Sequence, residues 1–487
     1  MSKRNIVKGS AGYFITNIFN RGLGFLFIVL ATRLIGAGGF GLIALGLTIR
    51  SLVNNFGIFG LSYSSQKILS GNFDEDKKNY FGAMVVINLS IALIFFLIFI
   101  IGSEFIANVI FNKPKFEIVV KVIAFTIVFS LPALLIRALL KAQKEVKSNF
   151  IVLVVESAVR VIALLLVFLI EDKIYAVSLS LFISAFASFL IALFIIKKRK
   201  LYPAFDEVKS KLKYIMSIGA QFLVIGLGYY FASQTDKLML GRMVSSESLG
   251  IYSISISIAM IIGTLNSSMI SIFMPTVSEL HRNNNKREIK NTYNFANIII
   301  ATINIILFIF FIVYGKKMLD LLFNFDSLKV YYIFILLSLK FIIATFIGPT
   351  SALLIMTDNH KTELYNTIFM IILNILLNYF LISYYGVYGA VFATLISTIL
   401  FNILQLSEIY YYYKFFVFQK IHLYYFISIS VISILLINYR IMNLNIIFQS
   451  IYFILFTSII LFIFWQKNEV VSKNEIIHFV KNIKSYI

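Results

Sequence analysis

The sequence predicts an all-α integral membrane protein of about fourteen transmembrane helices, built as two pseudo-symmetric six-helix lobes plus two C-terminal helices. Three observations carry that expectation. Apolar runs of about 20 residues recur along the whole chain. Lys and Arg are dense in every second loop and sparse in the loops between. Segments of the first half also return in the second.

Of 487 residues, 60% are apolar and 13% charged, against roughly 25% charged in a soluble protein. Size does not explain the deficit, because soluble chains of this length split into domains with charged surfaces. A run of about 20 apolar residues spans a ~30 Å hydrocarbon layer as a helix. The runs place helices over 11–35, 39–63, 80–102, 118–140, 148–170, 174–196, 214–240, 249–274, 293–314, 330–354, 364–384, 387–409, 421–438 and 446–465. The first is too long for a signal-peptide core, contains Arg21 and lacks a small-residue cleavage site, so it reads as a retained helix. The absence of cysteine excludes disulfides, thiolate chemistry and cysteine-based metal sites.

Orientation follows from the loop cations. One set of loops holds about 27 Lys and Arg, including the run Lys197-Lys198-Arg199-Lys200, and the alternating set holds about nine. The bias places the first set, and both termini, in the cytoplasm. The net charge of +21 is therefore a topology signal. Scattered over many short loops, these cations do not form a nucleic-acid surface.

Two segment pairs define the repeat. Arg33 precedes Gly41 by eight residues, as Arg242 precedes Gly250, an offset of 209. Ala138-Leu139-Leu140 with Lys147 matches Ala352-Leu353-Leu354 with Lys361, an offset of 214. Pro132 and Pro349 lie in the helices before the second pair. Six helices separate the copies, so both enter the membrane in the same direction and an axis along the membrane normal relates them. The expected organisation is a first lobe over 1–196, a cytoplasmic amphipathic linker helix over 197–213, a second lobe over 214–416, and helices thirteen and fourteen with a tail over 417–487. Tyr202, Phe205, Val208 and Leu212 give the linker its apolar face.

Charges deep in a membrane helix cost roughly 2.5–3.5 kcal/mol on insertion scales and so face the protein interior or a wet cavity. Arg21, Arg50 and Lys340 sit mid-helix, and Asp236-Lys237 lie toward the outer end of the seventh. These five are the candidate substrate-binding residues. Asp236-Lys237 can also snorkel to the interface. Glu156 and Arg160, spaced i, i+4 on the fifth helix, form either a structural ion pair or an ion-coupling site. Arg137 and Lys121, near helix ends, read as interfacial anchors. The deep cations outnumber the acids, which suits an anionic head group, and the guanidinium fork suits phosphate.

Other motifs fail. Gly36-Ala37-Gly38-Gly39-Phe40-Gly41 has dinucleotide-site spacing but follows a long apolar helix instead of a strand, and so reads as a tight interhelical turn. His281, His360, His422 and His478 lack zinc-ligand spacing. No Walker glycine loop is present, and no outer loop exceeds about 15 residues, too little for a polymerase or ligase active site. No metal or cofactor is expected.

The pattern of six, six and two helices resembles the polysaccharide-exporter branch, the Wzx-type flippases, of the multidrug/oligosaccharidyl-lipid/polysaccharide (MOP) superfamily. The segments that carry the resemblance are Thr32-Arg33-Leu34-Ile35-Gly36 with Phe40-Gly41-Leu42, and Asp236 to Gly241 with Leu249-Gly250-Ile251-Tyr252. Met274-Pro275 and Tyr385-Gly386-Val387-Tyr388-Gly389-Ala390 add to them. The resemblance implies a MATE-like two-lobe fold with a cavity between helices one, two, seven and eight. Arg21, Arg50, Asp236 and Lys237 lie on three of those helices. It implies a flippase that carries a polyprenyl-diphosphate-linked oligosaccharide, an O-antigen or capsule repeat unit, to the outer leaflet of the cell (inner) membrane. H+ or Na+ would be the coupling ion, and a polysaccharide polymerase and glycosyltransferases the working partners. Helix eight lacks the cation that peptidoglycan lipid flippases carry there, which argues against that substrate. An ion-coupled multidrug antiporter of the same fold is the alternative, although the first helix lacks the acid those transporters often use.

Overall fold

The structure is a computed structural model. It describes residues 3–415 apart from 59–64, 66–67, 167–168 and 324–326, with side chains from Phe19 onward except at 58, 218, 221, 225, 265, 267–268, 271–272 and 275. The expected helices over 421–438 and 446–465 lie outside the described residues. The described helices are α1 (Lys3–Ile58), α2 (Glu75–Ile101), α3 (Phe116–Ala142), α4 (Val146–Leu166), α5 (Lys173–Arg199), α6 (Val208–Met243), α7 (Ser246–Arg282), α8 (Lys286–Leu322), α9 (Ser327–Ile347), α10 (Thr350–Met356), α11 (His360–Tyr385) and α12 (Val387–Tyr413).

Among the described residues, ten helices are long and apolar enough to cross a membrane, or eleven with the bent α6 counted as one span. The apolar part of α1 runs for 39 residues, about 58 Å at 1.5 Å per residue, nearly twice a ~30 Å hydrocarbon layer. Gly36 divides it, at φ 68° and ψ 177°. Only glycine visits that region readily. The two arms correspond to the first two expected helices.

Packing is inverted relative to a soluble protein, as it should be when the solvent is lipid. On α5 a seam of small residues, Val177, Ser180, Ser184, Ala185, Ser188 and Ala192, is buried, while Phe186, Leu190, Leu193 and Phe194 are exposed. Small residues let helix backbones approach closely where no hydrophobic force joins them. The seam packs against α3 and α4. On α11, exposed Tyr365 near one end and Tyr384 and Tyr385 at the other are separated by about 29 Å of helix, the spacing of the two aromatic belts of a bilayer.

The chain divides into two compact units, Met1–Ser253 and Ile254–Ile487. The division falls inside α7, whereas the sequence expectation places it at 197–213. The reason is local. α6 packs against α1 and α2, and the start of α7 meets the turn of α1 at two glycines. A Cβ on Gly41 would lie 1.9 Å from the Ser246 carbonyl oxygen, and one on Gly250 would lie 1.8 Å from that of Ala37. These are the matched glycines of the repeat, so the two copies of the motif cross on each other reciprocally.

The 197–213 segment is not a surface helix. α5 continues to Arg199, Lys200 closes it in the left-handed conformation, and α6 begins at Val208. Pro203 lacks the N–H that a continuous helix would need. The intervening chain lies on α2, where the Ala204 N–H donates to the Lys78 carbonyl (3.0 Å) and that of Glu207 to Asn79 Oδ1 (3.2 Å). Val208 and Leu212 pack under it against a core that includes Leu69, Phe81 and Leu139. Tyr202 and Phe205 are exposed. The expected tenth helix is also interrupted, at Gly348 (φ 82°) and Pro349, which separate α9 from α10.

The repeat is written in the backbone. α4 starts at Val146 and α11 at His360, while α5 spans Lys173–Arg199 and α12 Val387–Tyr413. Left-handed residues recur at Lys144 and Asp358, and at Lys200 and Lys414. Each of these pairs has the same 214-residue offset as Leu139 and Leu353, both fully buried.

Candidate functional site

α1, α3 and α4 bring four charged side chains together inside the first unit. Glu156 and Arg160 are one turn apart on one face of α4, with the acid N-terminal, the favoured order for an i, i+4 pair. Glu156 Oε1 accepts from Arg160 Nη2 at 3.0 Å. The same oxygen accepts from Arg50 Nη2, on the second arm of α1, at 3.1 Å. The three side chains are only 9% (Arg50), 16% (Glu156) and 18% (Arg160) exposed. The Arg160 guanidinium also lies 5.7 Å from the centroid of the Phe27 ring, within cation–π range. Arg137 of α3 donates from Nε to Asn149 Oδ1 (3.5 Å).

Arg50, Arg137 and Glu156 line a cavity of about 70 Å³ with Asn54, Ser130 and Ser188. Arg50 Nε, Asn54 Oδ1, Ser130 Oγ and Ser188 Oγ are buried without a hydrogen-bond partner among the described residues. Ala133, three residues past Ser130, and Ala185 of the α5 seam keep the space open.

Arg50, Glu156 and Arg160 thus belong to one cluster. Arg50 lacks an acidic partner on its own helix but finds one on α4. Arg137, read from the sequence as an interfacial anchor, lines this cavity instead. It lies five residues inside the end of α3, deep enough to turn inward. Lys121 pairs with Glu117 (2.6 Å) at the other end of that helix. Arg21 is exposed on the first arm of α1. The neighbouring Asn20 side chain accepts from Ser157 Oγ of α4. Asp236 Oδ2 accepts from the Tyr252 hydroxyl (2.7 Å), and Lys237 beside it is half-buried. Lys340 belongs to the second unit, with its ammonium 6.0 Å from the Phe341 ring centroid. The structure therefore brings Arg50 to Glu156 and Arg160, and leaves Asp236 with Tyr252.

Sequence reasoning passed over two acids of the second unit. Glu363 of α11 accepts from Gln405 Nε2 (2.8 Å), and Glu408 of α12 accepts from Asn366 Nδ2 (2.6 Å). Neither forms an ion pair among the described residues. Their position at the ends of apolar runs concealed them.

Between the spans, Lys113 Nζ donates to the Val244 carbonyl (2.7 Å) and Arg242 Nη1 to that of Val109 (2.9 Å). Burial, then the charge of Arg242, holds the Lys113 ammonium below the ordinary lysine pKa. This double tie fixes the α2–α3 connection to the α6–α7 turn.

The family model described as "Polysaccharide biosynthesis protein" matches residues 6–281, and that described as "MatE" matches residues 222–380. A search of curated proteins found no match. Among solved structures, the chain is similar to a lipid II flippase MurJ in an inward closed conformation, with TM-score 0.72 and 16% identity over 93% of this chain and 98% of that one. It is also similar to a MOP superfamily transporter from Pyrococcus furiosus (TM-score 0.57, 16% identity, 84% and 98% covered). An inward-facing multidrug resistance MATE family transporter gives TM-score 0.56 and 12% identity over 84% of this chain and 95% of the other. At such identities the likeness establishes the fold, that of the MOP superfamily.

Proposed function

The chain belongs to the polysaccharide biosynthesis protein family, and we propose that it is a flippase moving a polyprenyl-diphosphate-linked oligosaccharide, an O-antigen or capsule repeat unit, to the outer leaflet of the cell membrane. The observation that carries the reading is the surplus of guanidinium over carboxylate in the buried cluster, three arginines to one glutamate. A cationic interior attracts a diphosphate, and the planar guanidinium fork matches its oxygens. Arg21 and Arg50 hold the diphosphate in this mechanism, and Asp236, Lys237 and Lys340 line the route. The sugars occupy wet space, the prenyl tail stays in lipid, and the lobes alternate access.

With both termini cytoplasmic, as loop charge indicates, the substrate leaves an inside-negative compartment. Each negative charge moved outward gains about 2.3 kcal/mol per 100 mV. A proton or Na+ adds to this if Glu156 or Asp236 couples it. The head group would come from glycosyltransferases and pass to a polysaccharide polymerase.

The test is head-group translocation in proteoliposomes. Arg21→Ala and Arg50→Ala are each expected to slow it at least tenfold, and Arg50→Lys to restore only part, because a point charge replaces the fork. Wild-type rates in both alanine variants would sink the reading.

The match of residues 222–380 to the MatE family, and the two second-unit acids that have no cation partner among the described residues, favour one other reading, an ion-coupled multidrug antiporter. It requires dye efflux driven by a proton or Na+ gradient, lost in Glu363→Gln.

A further inference from the structure

The cavity beside Glu156 has a charge and a size that fit one class of occupant. Two arginines, Arg50 and Arg137, and the Glu156 carboxylate line it, and Arg160 shares that one carboxylate, which leaves the cluster two positive charges in excess among the described residues. Isolated charge in a low-dielectric interior costs several kcal/mol per ion unless it is compensated. Four polar atoms from three helices, Arg50 Nε, Asn54 Oδ1, Ser130 Oγ and Ser188 Oγ, have no partner among the described residues. Arg50, Ser130 and Ser188 are each more than nine-tenths buried. Three of the four atoms can donate, and an unmade buried hydrogen bond costs about 1–3 kcal/mol.

We infer that this cavity is a binding site for one small inorganic anion of halide size, held by Arg50, Arg137, Ser130 and Ser188. At about 70 Å³ the space admits a halide with a water or two. It is far below the ~300–1,000 Å³ of pockets that enclose larger organic ligands, so the sugars of the substrate do not enter it. A halide satisfies the donors at once and halves the unbalanced charge. Water alone would satisfy the hydroxyls and leave the charge.

The scaffold does not need these arginines for packing. At the matching positions of the second copy stand Ser351 for Arg137 and Asn374 for Arg160, both 214 residues on. The anion site is thus an addition to one copy. It shares Arg50 with the substrate site proposed above, but the two fail separately, because chloride binding is read without any lipid-linked sugar.

The experiment uses the full chain in detergent, with equilibrium dialysis against radioactive chloride at constant ionic strength in gluconate, and thermal unfolding under the same conditions. One saturable chloride site and an unfolding midpoint that rises with chloride are expected. The double variant Ser130→Ala/Ser188→Ala removes two orphan hydroxyls at nearly constant volume and is expected to fold, because removing unpaired buried polar groups is close to neutral. Its chloride affinity should fall at least tenfold. No saturable binding to the wild type, or unchanged affinity in the folded variant, would overturn the site. Should the variant fail to fold, the wild type decides through competition. Bromide displacing chloride while inorganic phosphate does not supports a small closed site, and phosphate competing as well as bromide refutes it. A negative result here leaves the translocation test untouched, since that assay reads head-group movement and not chloride binding.

Discussion

In the first unit, Arg137 of α3 donates to Asn149 of α4. The positions 214 residues on, in the second unit, hold Ser351 of α10 and Glu363 of α11, both of which accept from Gln405 Nε2 (2.7 and 2.8 Å). Arg160 corresponds to Asn374, which donates to Ser397 Oγ (3.2 Å). Glu156 corresponds to Met370, and Ser188 to Asn402, whose Nδ2 is likewise buried without a partner among the described residues. At the other repeat offset, 209, Arg50 corresponds to Ala259. The two units therefore share helix ends, left-handed caps and buried leucines, but not charge. Backbone punctuation is what a six-helix lobe requires in order to close. The ionisable residues are laid over it, cationic in one copy and acidic or amide in the other, and they mark where the copies took different work.

The largest effect expected from breaking this contrast is at Glu156. Glu156→Gln leaves Arg50 and Arg160 buried without their carboxylate, and removing one partner of a buried ion pair costs about 3–5 kcal/mol. A steep fall in the unfolding midpoint in detergent is expected. The sharper version transplants the second copy's residues: Arg50→Ala, Arg137→Ser, Glu156→Met and Arg160→Asn together. Replacing an entire buried ionic cluster is often neutral for stability. That variant should unfold near the wild-type temperature while translocating nothing. If the quadruple variant is as unstable as Glu156→Gln, the cluster is part of the scaffold and the contrast fails.

The legible parts of this arrangement were of short range or periodic. Hydropathy runs and the Arg33–Gly41 and Arg242–Gly250 spacings are linear in the chain, and each has its structural counterpart. Glu156 and Arg160 could be paired from helical geometry alone. The bond from Arg50 to Glu156 crosses 106 residues, and no local pattern announces it. Ser130, Ser188 and Asn54 were invisible for another reason: small polar residues are ordinary at helix seams, and only the cavity distinguishes these. The helix expected over 197–213 failed where Pro203, a signal present in the sequence, outweighed an apolar spacing.

A smaller effect tests what the copies share. Neither Gly41 nor Gly250 can accept a Cβ without moving backbone, so Gly41→Ala and Gly250→Ala are each expected to cost about 1–3 kcal/mol, the range of overpacking. The two losses should be similar, since the contact is reciprocal, and the double variant should lose less than their sum because both act on one crossing. Additive losses in thermal unfolding would show that the two glycines serve separate contacts.

The smallest effect belongs to Glu363. Its Oε2 accepts from Gln405, and a glutamine carbonyl oxygen can accept the same bond. No guanidinium or ammonium among the described residues loses a partner, and a buried charge is removed. Glu363→Gln should therefore change stability by less than about 1 kcal/mol, or raise it. The value lies in comparison with Glu156→Gln, the same change of one atom in the other unit. A loss as large as that of Glu156→Gln would mean that Glu363 also neutralises a positive charge, one supplied by a bound cation or by residues past Phe415. The second unit would then be as ionic as the first, with the positive partner merely held elsewhere.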